Sequence, residues 1–277
     1  MKHEIIIGDC LDSLAELPPD TFQTCITSPP YYQLRDYGVD GQIGLEDSLE
    51  EHISALVDVF RAVRRVLRPD GTLWMNYGDA YQDKQLLGLP WRLAFALQAD
   101  GWWLRSDIIW HKPNPMPSSV TDRPTSSHEY MFLLSPSQKY FYDADAVKEK
   151  AVCNGQRRRD YKPKIDPSGL AVEDYLATNH YYPSERNLRD VWTIPTHALS
   201  AAHFATFPPK LVEPCIKAGT SPGDKVLDPF GGAGTVGLVA DRLGRDSTLL
   251  ELNPEYAELA RKRLIDDAPL LCEVKIL

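Results

Sequence analysis

The residues best suited to chemistry lie in the segment Ser28-Pro29-Pro30-Tyr31. The apolar run from Phe22 to Thr27 predicts a strand, and the two consecutive prolines then stop the strand in a rigid turn. The turn holds a hydroxyl, a proline carbonyl and an aromatic ring together at the end of the strand. Hydrogen-bond acceptors beside an aromatic face suit a flat heterocycle that carries an amino group. A surface turn with an exposed tyrosine is the alternative interpretation.

A glycine-rich segment, Asp228-Pro-Phe-Gly-Gly-Ala-Gly-Thr235, follows a second predicted strand near the other end of the chain. Its glycines permit a tight turn and let a ligand lie against bare backbone. The segment is neither a phosphate-binding loop, because no Gly-Lys-Ser/Thr follows, nor a G-x-G-x-x-G motif. A purely structural turn is the alternative.

Two further carboxylates, Asp9 and Glu251, also follow apolar strands. Glu251 is placed to accept hydrogen bonds from ribose hydroxyls, as acidic residues do in dinucleotide-binding folds. Asp9 is suited to an adenine amino group, or alternatively to capping the short helix that follows it. For Glu251 the alternative is a carboxylate that stabilises the start of the last helix. With the glycine-rich segment, the two carboxylates describe a site for an adenosine-bearing cofactor without phosphates.

Strands and helices alternate along the chain, which predicts an α/β fold with a doubly wound, mostly parallel sheet. The predicted strands cover residues 4–8, 22–27, 72–77, 102–110, 130–134, 225–227 and 247–250. The predicted helices cover residues 11–17, 49–67, 88–100, 208–217 and 235–244, and a last one begins after Asn253. Ligands of such sheets bind beyond the carboxyl ends of the strands. We therefore predict one crevice lined by Asp9, Ser28, Asp228 and Glu251.

The bulk properties favour a globular protein of the cytoplasm. The chain has 277 residues and a formal net charge of −9. It has no apolar run of about 18 residues, and its N-terminus lacks the features of a signal peptide. Its five cysteines are scattered, so neither a zinc site nor a disulfide framework is predicted, and we expect no metal.

The segments 28–31 and 228–235 resemble the two hallmark motifs of S-adenosylmethionine-dependent amino DNA methyltransferases. Their order is similar to that of the β class, in which the catalytic motif comes first, the target-recognition region lies in the middle and the cofactor motif comes last. Further segments that resemble family motifs are 8–10, 65–71, 109–115, 203–208 and 251–256. The match covers nearly the whole chain outside about 150–195.

The resemblance implies a Rossmann-like methyltransferase fold, circularly permuted, with S-adenosyl-L-methionine as cofactor and double-stranded DNA as partner. Residues 1–145 are then the catalytic half, 146–200 a target-recognition insertion and 201–277 the cofactor-binding half. The implied catalytic residues are Ser28, Pro29, Pro30 and Tyr31. The implied cofactor-binding residues are Asp9, Cys10, His203, Phe204, Asp228, Pro229, Phe230, Gly231, Gly232, Gly234, Thr235, Glu251 and Asn253. For His203, a histidine packed near a helix start is preferred to a catalytic role.

Residues 148–164 form the one strongly basic stretch of this acidic chain. Basic side chains neutralise phosphates, and Asn, Arg and Tyr reach base edges, so this stretch suits DNA recognition. A solvated basic loop is the alternative. The predicted DNA-binding residues are Arg35, Lys112, Arg157, Arg158, Arg159, Lys162 and Lys164. A cognate restriction endonuclease as a further partner, and the choice between monomer and homodimer, stay open.

The implied reaction has a poor nucleophile, because the lone pair of an exocyclic amino group is delocalised into the base. Acceptance of its N–H bonds by Ser28 and Pro29 would aim the lone pair at the methyl group, and Tyr31 would stack on a base flipped out of the duplex. Serine at the first motif position favours cytosine N4, whereas adenine-N6 enzymes more often have Asp-Pro-Pro-Tyr. RNA and protein-glutamine methylation are disfavoured by the motif order. A non-catalytic nucleic-acid-binding module would show damaged motifs, and both motifs are intact.

Overall fold

The computed structural model describes residues 1–36, 38–151, 184–196, 207–268 and 272–277. These residues form two compact units. The larger unit comprises Met1–Asp143 and Asp190–Leu277, and the smaller comprises Ala144–Arg189. The functional division at residues 146–200 stays a prediction.

The strands are β1 Lys2–Ile7, β2 Phe22–Thr27, β3 Leu67–Tyr77, β4 Tyr81–Gln82, β5 Gln85–Leu86, β6 Trp103–His111, β7 His128–Ser135, β8 Glu149–Lys150, β9 Glu185–Arg186, β10 Val191–Thr193, β11 Lys225–Asp228, β12 Asp246–Glu251 and β13 Glu273–Ile276. The helices are α1 Cys10–Glu16, α2 Leu49–Val66, α3 Leu89–Ala99, α4 Pro209–Gly219, α5 Thr235–Arg242 and α6 Pro254–Asp267. Each strand and helix predicted from the sequence is present.

A nine-stranded sheet with the order β10-β6-β7-β3-β2-β11-β12-β1-β13 forms the centre of the larger unit. Within the described part of the chain, β7 alone runs antiparallel to its neighbours in this sheet. The connection through α2 carries the chain from β2 to β3, whereas that through α5 carries it from β11 to β12, in the opposite direction along the sheet. The boundary between β2 and β11 is therefore a topological switch point, where open α/β sheets bind their ligands.

The helices form two packed groups, α1 with α2 and α3, and α4 with α5 and α6. Local sequence explains their starts. Ser48 and Glu51 form a capping box at the start of α2, and Asn253 caps α6, whose first residue is a proline. On α2, Leu56, Phe60 and other apolar residues at helical spacing are fully buried against the sheet.

Several strands are longer than predicted or were not predicted. β3 begins at Leu67 rather than Thr72, because Leu67 already pairs with Phe22 ahead of a register shift in β2. β10 and β13 are edge strands of only three and four residues, and they pair in parallel with β6 and β1. In the smaller unit, β8 and β9 form an antiparallel pair, in which Glu149 lies opposite Arg186. None of the helices in the described ranges has the length and apolar character needed to cross a membrane.

Candidate active site

Four neighbouring parallel strands end beside the four polar residues singled out in the sequence. The strands β2, β11, β12 and β1 are adjacent in the sheet. β11 and β12 end at Asp228 and Glu251, while Ser28 and Asp9 follow directly or closely behind β2 and β1. This strand order places the four residues at one edge of the sheet, and the single crevice lined by all four stays a prediction.

Asp228 is a carboxylate buried at the switch point. Its side chain is 1% exposed, and Oδ1 accepts hydrogen bonds from the Thr27 hydroxyl at 2.7 Å and from the Phe230 backbone N–H at 3.1 Å. Burial raises the pKa of Asp228 to about 7, although these two hydrogen bonds lower it. A buried carboxylate with so few donors favours a cation nearby, because a positive charge would return its pKa toward the ordinary range.

Glu251 holds the glycine-rich loop in place. Its Oε2 accepts from the Gly232 backbone N–H at 2.7 Å, and its Oε1 accepts from the Asn253 N–H at 2.9 Å. Burial raises the pKa of Glu251. Gly232 and Gly234 both have positive φ angles, 50° and 74°, so the tight turn predicted here requires glycine.

A pocket lies over this edge of the sheet and contains several of the predicted cofactor residues. It is lined by Gly8, Asp9, Cys10, Gly41, Ile43, Pro229, Phe230, Leu250, Glu251 and Leu252. The lining has apolar walls, bare glycine backbone and two carboxylates, and among the described residues it includes no lysine or arginine. These groups fit an adenosine without phosphates, because carboxylates accept hydrogen bonds from ribose hydroxyls and amino groups but repel phosphate.

Asp9 also has the structural role that the sequence left open. Its Oδ1 accepts from the backbone N–H groups of Leu11 and Asp12, so Asp9 is the N-cap of α1. Its neighbour Cys10 is buried, and burial raises the pKa of the Cys10 thiol to about 12. Cys10 therefore stays protonated and contributes only shape to the pocket.

Tyr31 of the Ser-Pro-Pro-Tyr segment is held from three sides. Its hydroxyl donates to Glu129 Oε2 at 2.9 Å, and its ring meets the Tyr77 ring edge-on at 5.0 Å. Gly78 lies beneath it, where a Cβ atom would approach Tyr31 Cε2 to 2.8 Å. Burial, followed by the charge of Glu129, raises the pKa of Tyr31 well above its usual value, so the side chain is a neutral phenol.

A second set of buried contacts supports the loop after Tyr31. His52 Nδ1 lies 2.8 Å from Glu46 Oε2, and His52 Nε2 lies 2.7 Å from the Tyr77 hydroxyl. The Glu46 carboxylate also accepts from the Gly44 N–H. Since a carboxylate can only accept, His52 donates from Nδ1 and accepts the Tyr77 proton at Nε2. The helix α2 thereby fixes the loop that brings Gly41 and Ile43 to the pocket.

The remaining predicted site residues fall into two groups. His203, Phe204, Arg157, Arg158, Arg159, Lys162 and Lys164 lie outside the described residues. Lys112 is described, and its ammonium group pairs with Glu129 and lies 4.3 Å from the centre of the Trp110 ring. Arg35 lies in the loop behind the catalytic segment, where its backbone carbonyl accepts from Gln42. A role in DNA binding stays a prediction for all of these basic residues.

Sequence reasoning missed Glu129 and Asn76, which surround the Tyr31 hydroxyl. Asn76 is the last but one residue of β3, and Glu129 is the second residue of β7. The only available signal was their position next to predicted strand ends. It gave no indication that β7 runs antiparallel and so brings its first residues to the edge where the other strands end.

The open sheet with its switch point and the acidic pocket at the strand ends have the architecture of a Rossmann-like methyltransferase. The family model of the N6/N4 methyltransferases, described as DNA methylase, matches residues 22–262. The chain belongs to this family of DNA methyltransferases.

Curated relatives agree with this assignment over nearly the full chain. The Type II methyltransferase M.Cfr9I of Citrobacter freundii is 45% identical over 286 residues, which cover 93% of this chain and 86% of the relative. The Type II methyltransferase M.SmaI of Serratia marcescens is 44% identical over 291 residues, which cover 95% and 90% of the two chains.

Solved structures share the fold. The PvuII cytosine-N4-specific DNA methyltransferase matches with a TM-score of 0.72 and 23% identity, over 97% of this chain and 88% of that one. A DNA modification methylase from Thermus thermophilus, TTHA0409, which was solved with S-adenosyl-L-methionine and is described as putative, matches with a TM-score of 0.67 and 26% identity over 99% of both chains. The predicted fold, cofactor and enzyme class are thus confirmed: the chain is an S-adenosylmethionine-dependent DNA methyltransferase rather than a non-catalytic module.

Proposed function

We propose that the enzyme transfers a methyl group to N4 of a cytosine flipped out of duplex DNA. The observation that carries this proposal is the adjacency of β2 and β11, joined by the hydrogen bond from Thr27 to Asp228. It sets Ser28 and Pro29, which follow Thr27 directly, beside the glycine-rich loop that follows Asp228. We therefore expect the amino group of the target base and the methyl group of the cofactor to be bound at neighbouring strand ends, as direct transfer requires.

On the cofactor side, each proposed role follows from the chemistry of the side chain. Asp228 binds the amino group of the methionine part, because a buried carboxylate is stabilised by a cation. Glu251 accepts from the ribose hydroxyls, Asp9 accepts from the adenine amino group, and Phe230 packs on the apolar face. The cofactor supplies a methyl group on a positively charged sulfur, so the protein needs to align the methyl group rather than activate it.

On the DNA side, the proposed task of the protein is to expose the lone pair of an amino nitrogen. The Ser28 hydroxyl and the Pro29 carbonyl accept the two N–H bonds, which turns the nitrogen lone pair away from the ring system. Tyr31 stacks on the face of the base. A base inside a duplex cannot reach the end of a strand in this sheet, so the target has to be extruded.

Ser28 is the first residue of the Ser-Pro-Pro-Tyr segment. Serine at this position supports cytosine over adenine as the target base, since the adenine-N6 members of the family more often have aspartate there. The PvuII enzyme, which shares the fold, is cytosine-N4-specific.

The relatives M.Cfr9I and M.SmaI are Type II methyltransferases, and we extend from them a role in restriction and modification with a cognate endonuclease. Target recognition by residues 146–200, a monomeric or homodimeric state and a cytoplasmic location complete the proposal.

Digestion of methylated DNA to nucleosides tests the proposal directly. The enzyme is incubated with DNA and labelled S-adenosyl-L-methionine, and the labelled nucleoside is identified by chromatography. N4-methylcytosine is expected, and N6-methyladenine would overturn the choice of base. The Ser28→Ala variant is expected to lose at least about 100-fold in kcat while it keeps its cofactor affinity. A variant that loses both equally would contradict the proposed role of Ser28.

A further inference from the structure

We propose that Glu129 is a positioning residue for methyl transfer, which fixes the Tyr31 hydroxyl and, through it, the hydroxyl of Ser28. This inference rests on the proposed function of the Ser-Pro-Pro-Tyr segment and adds a residue outside that segment. Glu129 does not need to touch the base or the cofactor in order to act.

The topology brings Glu129 to the reactive edge of the sheet. β7 is antiparallel to β3 and β6, so its first residues lie where the neighbouring strands end. Glu129 stands opposite Trp110 of β6, and the residue after it, Tyr130, stands opposite Tyr77 of β3. Tyr31 reaches the same place from the end of β2, on the other side of β3.

The carboxylate of Glu129 is held by three donors. Oε2 accepts from the Tyr31 hydroxyl at 2.9 Å and from Asn76 Nδ2 at 3.2 Å, while Oε1 pairs with the Lys112 ammonium group. Its side chain is 17% exposed, as is that of Lys112. A partly buried carboxylate with donors on both oxygens is a fixed charge, because loss of any contact would leave a charged group unpaired.

The donors are themselves fixed. Asn76 is 1% exposed, and its Nδ2 also donates to the Tyr130 carbonyl at 3.0 Å, which defines the orientation of the amide. The Lys112 ammonium group lies over the Trp110 ring, at 4.3 Å from its centre. The carboxylate therefore has one arrangement in which all of its partners are satisfied.

This arrangement decides the direction of the hydrogen bonds at Tyr31. A carboxylate only accepts, so the Tyr31 proton points at Glu129 and the Tyr31 oxygen is left as an acceptor. Ser28 lies close enough to the Tyr31 side chain to lower the Tyr31 pKa, against the effects of burial and of Glu129. A Ser28 hydroxyl that bonds to the Tyr31 oxygen has to donate to it, which leaves the Ser28 lone pairs available to the N–H of an incoming amino group. Without Glu129, Ser28 is equally able to act as donor or acceptor.

Close packing makes the position of the ring sensitive to this contact. A Cβ atom on Gly78 would lie 2.8 Å from Tyr31 Cε2 and 3.2 Å from the carboxyl carbon of Glu129. Tyr31 and Glu129 thus both rest on the bare backbone of Gly78. Rotation of the ring away from Glu129 would also change the surface on which the base stacks.

Kinetics of the Glu129→Gln and Tyr31→Phe variants test the proposal. Glu129→Gln replaces the acceptor-only carboxylate with an amide that can also donate, and Tyr31→Phe removes the hydroxyl. For each variant we expect kcat for DNA methylation to fall about tenfold with KM values changed less than about twofold. The double variant is expected to be no slower than the slower single variant, because the two residues act as one unit. Glu50→Gln, at an exposed site on α2, is the matched control and should keep the wild-type kcat.

Several outcomes overturn the inference. Wild-type kcat in Glu129→Gln, or losses that multiply in the double variant, would show that Glu129 does not act through Tyr31. Urea unfolding and S-adenosyl-L-methionine binding are measured on every variant, and a fall in kcat matched by lost cofactor affinity would indicate a structural defect instead. Absence of any methylated base with the wild-type enzyme would be a failure of the proposed function, which is recognised before the variants are compared.

Discussion

The Thr27 hydroxyl donates a 2.7 Å hydrogen bond to Asp228 Oδ1 across 201 positions of sequence. Both side chains are buried, at 0% and 1% exposure. Thr27 is the last residue of β2 and Asp228 the last residue of β11, and the two strands are parallel neighbours. This contact joins the segment proposed to bind the target base to the loop proposed to bind the cofactor, although the two are encoded near opposite ends of the chain.

Replacement of Thr27 by valine should therefore weaken cofactor binding. Valine keeps the branched shape but removes the donor, so the pKa of Asp228 should rise beyond its value of about 7 and the carboxylate fraction at pH 7 should fall. Calorimetry is expected to show a Kd for S-adenosyl-L-methionine about five- to tenfold higher at pH 7, with a smaller difference at pH 8.5.

Thr24→Val is the matched control on the same strand, because the Thr24 hydroxyl bonds to Thr72 rather than to the site. We expect it to lower stability without changing the Kd. Equal affinities of Thr27→Val and wild type at both pH values would contradict the role given to this hydrogen bond.

Asp228→Asn should make the ligand-free protein more stable. Burial raises the folded-state pKa of Asp228 from 3.8 to about 7. The unfolded state therefore loses this proton at a lower pH than the folded state does. The stability that the protonated carboxyl group contributes is then lost as pH rises from about 4 through 7. Each pKa unit is equivalent to about 1.4 kcal/mol. Urea unfolding without cofactor should show an advantage of Asp228→Asn that grows between pH 5 and pH 8, together with weaker cofactor binding. An advantage that does not depend on pH would count against the raised pKa.

The pocket was predictable because its signals are local in the sequence. Asp228 and Glu251 each end an apolar run, and the parallel order of α/β sheets brings such ends to one edge. Glycine at positions with positive φ, as at Gly234, also leaves a direct trace in the sequence. The part of the site whose position the sequence indicates is thus the part that a single strand–loop–helix unit can encode.

The contacts around Tyr31 were not predictable, because they depend on register between distant strands. Glu129 reaches Tyr31 only because β7 is antiparallel, and the apolar run of β7 contains no information on its direction. Similarly, the interaction of His52 with Tyr77 joins a helix to a strand, and nothing in the sequence near either residue indicates the other. Lys112 was predicted to bind DNA, whereas its pairing with Glu129 could be seen only in the fold.

His3 should make the folded protein sensitive to acid. The ring is 1% exposed and bonds to Ser247 Oγ at 2.8 Å and to Asp241 Oδ1 at 3.0 Å. Burial lowers the pKa of His3, in spite of the opposing effect of Asp241. The unfolded state then takes up a proton more readily than the folded state. The contribution of His3 to the free energy of unfolding is therefore fully present above about pH 6.5 and is lost as pH decreases below it.

The His3→Gln variant is expected to lose part of this pH dependence in denaturant unfolding between pH 5 and pH 8. Part should persist, because burial lowers the pKa of His52 as well. The same substitution at His128, which is exposed, is the control for the replacement of a histidine at the surface. An unchanged slope in His3→Gln would contradict the assignment.

Gly234→Ala should damage the cofactor loop through both backbone strain and overlap. Gly234 has a φ of 74°, and a Cβ atom there would lie 2.8 Å from Ala260 Cβ and 3.1 Å from Ala260 Cα, on helix α6. The left-handed backbone alone costs an L-residue about 1–2 kcal/mol, and overlap with a packed helix adds roughly 1–3 kcal/mol. The loop can relieve the overlap only by moving away from α6, so cofactor affinity should fall together with stability.

Gly244→Ala separates these two causes. Its φ of 76° is nearly the same, but a Cβ atom at Gly244 has no neighbour within 4 Å in the part of the chain that the structure describes. This variant should therefore show the backbone cost alone in urea unfolding and keep its affinity for S-adenosyl-L-methionine. If both variants lost the same stability, the close approach of the loop to Ala260 would have no energetic consequence. A larger loss in Gly234→Ala, accompanied by weaker binding, is expected because α6 and the glycine-rich loop are in contact at that position.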